Sequence, residues 1–449
     1  MKRTYLYILT LLLTINMFTG CDSVLDVKLD DEVKSSEAIT DEVSLRSAVI
    51  GLYSEMQSST YYGGEFVLAQ ALTGGIGEAT GFRERFAQLA NAIIPASSTY
   101  IESNWVDVYA LVNSSNLILE KIDELGIDDP NSQGSALFFR ALGHFDALRQ
   151  FGEFTKSSSV YGIPVSTTFL DSQAAVLIAR SSVADSFSQI VTDLNDAISL
   201  LDYDDDRYFV SRATAEALLA RVYLYQGNFP MAEQLATDVI NNSDYALNVD
   251  FNDIYDIEGS DESIFELQFQ GVNGNGLTEL LSVSPPEVSA NYDDFFKDMD
   301  ADDDPRSFRF YDTGSVVYVD KYGTSDNDVE GNAIILKLSE MYLIRAEARA
   351  RQTPTDLTTA LEDLNEVRTR SLPSQPILEA DVPDFDSFVD VLINERAREL
   401  AFEGHRWFDI VRLGRAESIL GIPAYRTVYP IPQREVNISK GVILQNPQY

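Results

Sequence analysis

Cysteine, histidine and tryptophan are scarce in this sequence, whose 449 residues include one cysteine, two histidines and two tryptophans. A single cysteine, Cys21, cannot form a disulfide within the chain. With only His144 and His405 available, zinc sites built on cysteine and most of those built on histidine are excluded. A Cys–His nucleophile pair is excluded unless it uses Cys21 itself.

Positive charge is scarce as well, because 33 Lys and Arg residues stand against 71 Asp and Glu residues, giving a formal net charge of −38. Nucleic-acid binding by phosphate neutralisation needs a basic surface, so the composition excludes that class of partner. Hydrophobic residues make up 45% of the chain and aromatic residues 11%, which suffices for a large core. We therefore expect one large domain or two.

The start of the chain is predicted to be a targeting segment. Two basic residues and an apolar run over residues 5–15 precede Cys21, a pattern typical of a secretory signal peptide over residues 1–20. The run is shorter than the about 20 residues that cross a bilayer, so we expect it to be removed. Cys21 resembles the acylated cysteine of a bacterial lipobox, although Phe18 stands where Leu is commoner. The alternative is an ordinary soluble secreted protein.

Apolar side chains recur at helical spacing through much of the chain. One amphipathic helix is predicted because spacings of 4, 3, 4 and 3 residues put five side chains on one face: Trp105, Tyr109, Val112, Asn116 and Leu119. Further helices are predicted over residues 135–151, ending before Gly152, and over residues 182–201.

Residues 211–241 predict a pair of antiparallel helices. Gly227 supplies the positive φ that the turn needs, and the apolar and small residues follow the spacing of a tetratricopeptide helix pair. A similar pair is predicted over residues 333–351 and 356–370. Recurrent helix pairs of this kind build superhelical scaffolds.

Two glycine-rich stretches interrupt this pattern. The helical scaffold is predicted mainly over residues 40–58, 98–245 and 333–415, and the loop-rich insertions over about 60–95 and 271–332. Long loops in a compact helical domain are often where function lies. The predicted fold is therefore all-α, a tetratricopeptide-repeat superhelix that carries an irregular, loop-rich subdomain with short strands.

Several segments resemble one known family. In chain order they are CDSVLDVKLDD, FRALGHFDALRQFGEF, YGIPV, SIFELQF, ILKLSEMYLIRAEARAR, INERARELAFEGHRWFDIVRLGRA and VYPIPQREVNISKGVILQNPQY. The sequence is similar in all of them to the SusD/RagB family, and the resemblance extends over nearly all of residues 21–449. The EGHRWFD segment and the NPQY ending are its most specific parts.

The resemblance implies an outer-membrane lipoprotein, anchored through Cys21 and facing the extracellular side. Such proteins capture nutrients, usually oligosaccharides, and act as a lid over a TonB-dependent, SusC-like transporter. The resemblance also implies no catalysis and no cofactor. A peptide ligand in place of a glycan is the alternative within the same family.

The resemblance further implies that the two insertions supply the ligand site, with aromatic rings stacking on sugar. The two tryptophans are expected in the core, because Trp105 belongs to the apolar face described above and Trp407 to the EGHRWFD segment. The remaining loop aromatics are Tyr61, Tyr62, Phe66, Phe82, Tyr292, Phe295, Tyr311, Tyr318 and Tyr322. The predicted ligand-binding residues are Tyr61, Tyr62, Phe82, Arg83, Tyr292, Tyr311 and Tyr318.

Arg83 and Arg85 stand out in an acidic chain. Two guanidinium groups can hold a carboxylate or a sulfate, but local pairing with Glu78 or Glu84 is the favoured interpretation. The acidic surface favours neutral glycans unless these two arginines locally reverse its charge.

Three glutamates, Glu395, Glu399 and Glu403, are spaced four residues apart on one predicted helix. Neighbouring carboxylates at this spacing lie near the separation found in retaining glycosidases, so a glycoside hydrolase is one hypothesis. Several arginines crowd the same stretch and lower carboxylate pKa values, which is wrong for a general acid. An ion-pair network between helices is the favoured interpretation.

An acidic run near residue 300 resembles the first half of a calcium loop. Asp298, Asp300 and Asp302 alternate as calcium ligands do, but position six is Asp303 in place of glycine and position twelve is Arg309 in place of glutamate. A solvated acidic loop is favoured, and a structural calcium site is the alternative.

Overall fold

The structure, a computed structural model, describes residues 38–170, 178–269, 274–323, 331–352 and 355–449. The predicted signal peptide and Cys21 lie outside these residues. One unit of the fold runs from Asp41 to Tyr449.

Helices make up most of this unit. In chain order they are α1 (Glu42–Met56), α2 (Glu65–Thr73), α3 (Glu84–Ala90), α4 (Thr99–Leu125), α5 (Pro130–Phe151), α6 (Val183–Leu200), α7 (Arg212–Gln226), α8 (Phe229–Ile240), α9 (Asp253–Asp256), α10 (Gly276–Leu281), α11 (Lys297–Ala301), α12 (Leu338–Arg351), α13 (Leu357–Ser371), α14 (Phe385–Glu399), α15 (Arg406–Arg412), α16 (Ala416–Leu420) and α17 (Gln433–Ile438). None of the helices in the described ranges has both the length and the hydropathy needed to cross a membrane.

The long helices pack in a consecutive series. Helix α1 packs on α4, α4 on α5, α5 on α6, α6 on α7 and α7 on α8, and α8 then packs on α12, which packs on α13. Helices α8 and α12 pack together although the second insertion separates them in sequence. One contact between them is an ion pair in which the Nε of Arg349 lies 2.9 Å from the Oε1 of Glu233. This arrangement confirms the predicted helical scaffold.

The predicted turn of the best-defined helix pair is also confirmed. Helix α7 begins after Ser211, whose side chain accepts a hydrogen bond from the backbone N–H of Thr214. It ends at Gly227, which has a φ of +83° in the left-handed region that favours glycine. Ala220 and Ala232 are fully buried, so the two helices approach closely.

Short strands accompany the helices. They are β1 (Gly77–Ala79), β2 (Ser263–Leu267), β3 (Val288–Ala290), β4 (Phe310–Asp312), β5 (Val317–Val319) and β6 (Ala333–Lys337). Antiparallel pairing gives a two-stranded sheet of β2 and β6 and a four-stranded sheet in the order β1-β3-β5-β4. The helix predicted over residues 333–351 is therefore corrected, because its first five residues pair with β2 and α12 starts at Leu338.

The first insertion is more regular than predicted. Within about 60–95, α2 is buried along its whole length and α3 follows it. Glycine brings the chain close to its neighbours here, since a Cβ on Gly63 would lie 2.1 Å from the backbone oxygen of Gln57. The glycine-rich composition predicted an open loop, whereas Gly63 allows the backbone to pack closely against its neighbours.

Candidate functional site

The four-stranded sheet joins the two predicted insertions. Strand β1 comes from the first insertion and pairs with β3 of the second. Beyond the strands, the backbone N–H of Gly81 donates to the oxygen of Glu287 at 3.1 Å, and the hydroxyl of Thr80 donates to the oxygen of Pro286 at 2.8 Å. Residues more than 200 positions apart in sequence thus form one surface.

The strand register aligns four side chains in a row across one face of this sheet. Glu78 lies opposite Ser289, and Tyr318 lies opposite Tyr311. Ala290 lies opposite Val317, so Ser289 and Tyr318 are also opposite each other. Directly opposite residues of an antiparallel pair share a face and have Cβ atoms about 4.5–5.5 Å apart. The row, in spatial order, is Glu78, Ser289, Tyr318 and Tyr311. We call this side of the sheet the outer face.

The opposite face of the sheet belongs to the core. Phe310, Val317, Val319 and Ala290 are at most 5% exposed. Phe310 packs against Phe402, with ring centroids 6.0 Å apart. On the outer face Glu78 and Tyr311 are exposed and Tyr318 is half-buried, whereas Ser289 is covered at 1% exposure. The part of the outer face open to solvent or a ligand is therefore at the two ends of the row.

Two of the predicted ligand residues form one end of the row. Tyr311 is 67% exposed, and Tyr318 is half-buried. The hydroxyl of Tyr318 shares a hydrogen bond of 3.0 Å with the hydroxyl of Ser284. Two neighbouring phenol rings offer apolar area for the C–H face of a sugar and hydroxyl groups for its polar edge.

Phe82 and Arg83 lie at the tip that follows β1. The side chain of Phe82 is fully exposed. Arg83 follows it and precedes α3. Gly81 is required beside them, since a Cβ there would lie 1.9 Å from the Oε2 of Glu287.

The two arginines of the tip are engaged by carboxylates. The Nη1 of Arg83 lies 3.7 Å from the Oε1 of Glu65, and its Nε lies 3.6 Å from the Oε1 of Glu287. Arg85 binds Glu65 with two nitrogens, of which Nε lies 2.9 Å from Oε2. Pairing was the favoured interpretation, but the partners that the structure shows are more distant in sequence than those predicted.

Tyr292 lies outside the row. It begins a π-helical turn, Tyr292–Phe296, just after β3, and is 42% exposed. Its ring centroid is 6.0 Å from that of Phe296. Phe295 and Tyr322 of the same insertion are buried.

The prediction is corrected for Tyr61 and Tyr62. Both rings are buried, at 0% and 3% exposure, and pack on each other and on Phe66, which is also buried. The hydroxyl of Tyr61 donates to the Oδ2 of Asp146 at 2.6 Å, and burial raises the pKa of Tyr61 well above its ordinary value. The nitrogen Nη2 of Arg149 donates to the hydroxyl of Tyr62 at 3.2 Å. Neither ring has a face open to a ligand, because the closely packed glycines that follow draw this segment into the core.

Both tryptophans lie in the core, as expected. Trp105 is 5% exposed and packs against Phe151, with ring centroids 5.0 Å apart. Trp407 is fully buried and stacks on Tyr429.

The ion-pair network predicted around the three glutamates is confirmed, but its cations come from segments other than the nearby arginines that the sequence indicated. The single helix predicted to carry them is corrected, because α14 ends at Glu399 and Glu403 lies beyond it. Arg306 Nη1 lies 2.6 Å from Glu395 Oε1 and 3.2 Å from Glu399 Oε2. Lys321 Nζ lies 2.7 Å from Glu403 Oε1. Further cations come from β6 and α13: Lys337, Arg368 and Arg370. All three glutamates are buried and paired, so they do not form an open acid–base site.

This network fastens the sheet to the scaffold. Burial works against ionisation of Glu403, yet Lys321 and Lys337 outweigh it and lower the carboxyl's pKa. Burial also lowers the pKa of Lys321, to about 8, against the opposing effect of Glu403. Beside it, the hydroxyl of Tyr322 donates to the backbone oxygen of Phe402 at 2.7 Å.

The calcium candidate gains no support from the geometry. Asp302 Oδ2 is held by Arg398 Nη2 at 2.7 Å, and Asp298 and Asp300 lie on the short exposed helix α11. Within the described ranges, no three His, Cys, Asp or Glu side chains converge as metal ligands.

Comparison with known families decides the assignment. The sequence matches the family described as "Starch-binding associating with outer membrane" over residues 24–224 and the SusD family over residues 268–426. The chain belongs to the SusD/RagB family. Known SusD-like sequences match it along most of their length. SusD-like protein P2 of Formosa agariphila is 25% identical over 90% of this chain and 92% of its own.

Solved SusD structures share the fold. A SusD superfamily protein of Bacteroides thetaiotaomicron is 26% identical, covers 90% of this chain and 99% of its own, and superimposes with a TM-score of 0.79. A structure described as a laminarin-binding SusD-like protein is 21% identical, covers 92% of this chain and 100% of its own, and has a TM-score of 0.74. The predicted helical SusD-like fold is thereby confirmed.

The sequence did not indicate every residue of the outer face. Ser284 and Ser289 lie beside Tyr318, and Glu287 contacts Arg83, yet no motif marks these three residues. Their position depends on the pairing of β1 with β3, which no local pattern encodes.

Proposed function

We propose that the protein captures oligosaccharides on the outer face of the four-stranded sheet and delivers them to a SusC-like, TonB-dependent transporter. The observation that carries the proposal is the pair Tyr311 and Tyr318, opposite each other on that face and backed by a buried core. Phe82 and Tyr292 add exposed aromatic area on the same subdomain. Membership of a family described as starch-binding and the laminarin-binding relative support a glycan as the ligand.

Binding, without catalysis, fits the chemistry of this surface. Stacking and hydrogen bonding hold a sugar ring without breaking a bond, and they require a rigid platform. The network around Glu395, Glu399 and Glu403 supplies that rigidity. A glycosidase needs two accessible carboxyl groups, whereas these three are buried under paired cations.

The proposed location is the outer membrane, with the protein anchored by acyl chains on Cys21 and exposed on the outside of the cell. The family description of outer-membrane association and the lipobox-like start of the sequence support it. One acyl chain binds membranes only marginally, so a stable anchor needs several chains or a second signal. Mass spectrometry of the peptide that begins at Cys21, together with protease treatment of intact cells, tests the anchor and the orientation.

Ligand binding is tested with the purified full-length protein in detergent on arrays of oligosaccharides and peptides, followed by chromatography of the incubated ligand. We expect retention of one class of glycan, recovery of the ligand at its original length, and co-purification of a SusC-like transporter from native membranes. Retention of peptides alone contradicts the glycan proposal, and release of shorter sugars contradicts binding without catalysis.

A further inference from the structure

Two arginines and two glutamates pair with one another at the edge of the outer face. Arg83 lies between Glu65 and Glu287, while Arg85 binds Glu65 from a second direction. Two positive charges therefore stand against two negative charges. The side chain of Glu65 is only 4% exposed, and a buried carboxylate of this kind persists when it is paired.

Glu287 is fixed in its place on the outer face. It precedes β3 by one residue, so side-chain alternation puts it on the same face as Ser289 of the row. Its backbone oxygen accepts hydrogen bonds from the N–H groups of Thr80 and Gly81, both at 3.1 Å. Its Oε2 is packed so closely on Gly81 that a Cβ there would lie 1.9 Å away. These hydrogen bonds fix the backbone of Glu287, which keeps its carboxylate beside Arg83, with 3.6 Å between Oε1 and the Nε of Arg83.

Other carboxylates surround the same surface. Glu78 belongs to the row itself and Asp293 follows Tyr292, and both are exposed. An acidic ligand that approaches the tyrosines meets these charges. Arg309, two residues before Tyr311, is paired with Asp256 at 2.6 Å, and Arg83 is paired with Glu65 and Glu287.

We propose that the outer face selects neutral oligosaccharides against acidic ones, and that Glu287 sets this selectivity by occupying Arg83. The inference rests on the proposed function of the face. A carboxylated or sulfated sugar gains no salt bridge with Arg83 unless it displaces the carboxylate of Glu65 or Glu287 from it. A neutral sugar needs only the rings and hydroxyl groups of Tyr311 and Tyr318.

The test compares oligosaccharide pairs that share linkage and length and differ in the carboxyl group. The probes are β-1,4-mannan and β-1,4-mannuronan oligomers, and β-1,4-glucan and β-1,4-glucuronan oligomers. For any oligosaccharide pair that the full-length protein binds, we expect the neutral member to bind at least about tenfold more tightly than the acidic member. Equal or tighter binding of the acidic member overturns the inference while leaving glycan capture intact, and binding of no glycan at all overturns both.

The isosteric variant Glu287→Gln removes one competing charge and leaves Arg83 and Arg85 to share Glu65. We expect binding of the acidic member to rise about tenfold, while binding of the neutral member changes less than about twofold. The matched control is Glu84→Gln, which removes an exposed charge beside Arg83. We expect it to leave the ratio of neutral to acidic affinity unchanged. Adding Arg83→Gln to Glu287→Gln should abolish the gain. An unchanged ratio in a folded Glu287→Gln protein overturns the inference.

A variant-free measurement covers the case in which Glu287→Gln does not fold. Raising the ionic strength from about 0.02 M to about 0.5 M screens repulsion between exposed charges. With the unaltered protein, binding of the acidic oligomer should strengthen with salt, and binding of the neutral oligomer should stay constant. Binding of the acidic oligomer that weakens with salt indicates an attractive cation and overturns the inference.

Discussion

Arg306 Nη1 lies 2.6 Å from Glu395 Oε1, and this contact joins the sheet-bearing insertion to helix α14 of the scaffold. Arg306 is fully buried and also contacts Asp304 and Glu399. Burial would lower the pKa of Arg306, but the surrounding carboxylates outweigh burial and raise it, so the guanidinium stays charged. The outer face therefore sits on a rigid ionic base.

Replacing Arg306 with alanine should destabilise the protein strongly. The substitution leaves three buried carboxylates without their shared cation, and breaking such a contact costs about 3–5 kcal/mol. Urea denaturation measures the loss in free energy of unfolding. The control is Arg415→Ala, whose partners Asp386 and Asp390 are exposed and whose loss should cost less than about 1 kcal/mol. Equal losses in the two variants contradict the account of the network.

Two glycines should respond to alanine in opposite directions. A Cβ on Gly63 would lie 2.1 Å from the backbone oxygen of Gln57, so Gly63→Ala forces the backbone to shift and should cost about 1–3 kcal/mol or more. Gly51 lies inside α1, and nothing lies within 4 Å of the place that an alanine methyl would take, so Gly51→Ala should stabilise by about 0.5–1 kcal/mol. Thermal unfolding distinguishes the two. A tolerated Gly63→Ala contradicts the close packing that buries Tyr61 and Tyr62.

The buried histidines should make stability fall in mild acid. Burial lowers the pKa of His144 to about 3, with Arg140 acting in the same direction, and its Nε2 accepts a hydrogen bond from the N–H of Ser166. The unfolded chain binds a proton near pH 6.5 and the folded chain does not, so stability is present above pH 6.5 and is lost as the pH falls toward 3.

His144→Gln keeps an acceptor for Ser166 and removes this proton. Each titrating group contributes up to about 1.4 kcal/mol per pH unit within its window. The free energy of unfolding, measured at several values from about pH 7 to about pH 4.5, should therefore fall less steeply in His144→Gln than in the unaltered protein. His405, whose pKa burial also lowers, should account for part of the slope that remains. Parallel curves contradict this assignment.

The sequence predicted the helical scaffold because its signals are local. The turn at Gly227 and the apolar face that includes Trp105 depend on residues within a few turns of each other. The spacing of Glu395, Glu399 and Glu403 likewise predicted a network, although only the first two lie on α14. The partners could not be predicted, since Arg306 and Lys321 arrive from another part of the chain.

The candidate site was only partly predictable for the same reason. Aromatic residues on the insertions were visible in the sequence, and Tyr311, Tyr318 and Phe82 are indeed accessible on the surface. Tyr61 and Tyr62 show the same composition signal, yet tight packing around Gly63 buries them. Composition indicates which residues can bind a sugar, and only the strand register shows which ones face outward together.

The most direct test of the account measures the affinity of the full-length protein for its oligosaccharide by calorimetry, with the variant Tyr311→Ala/Tyr318→Ala beside it. The control is Tyr203→Ala, which truncates a tyrosine that is 52% exposed on the scaffold. We predict at least about a tenfold loss of affinity, or about 1.4 kcal/mol, in the double variant and no loss in the control. Unchanged affinity in a folded double variant would contradict the assignment of the outer face as the ligand site.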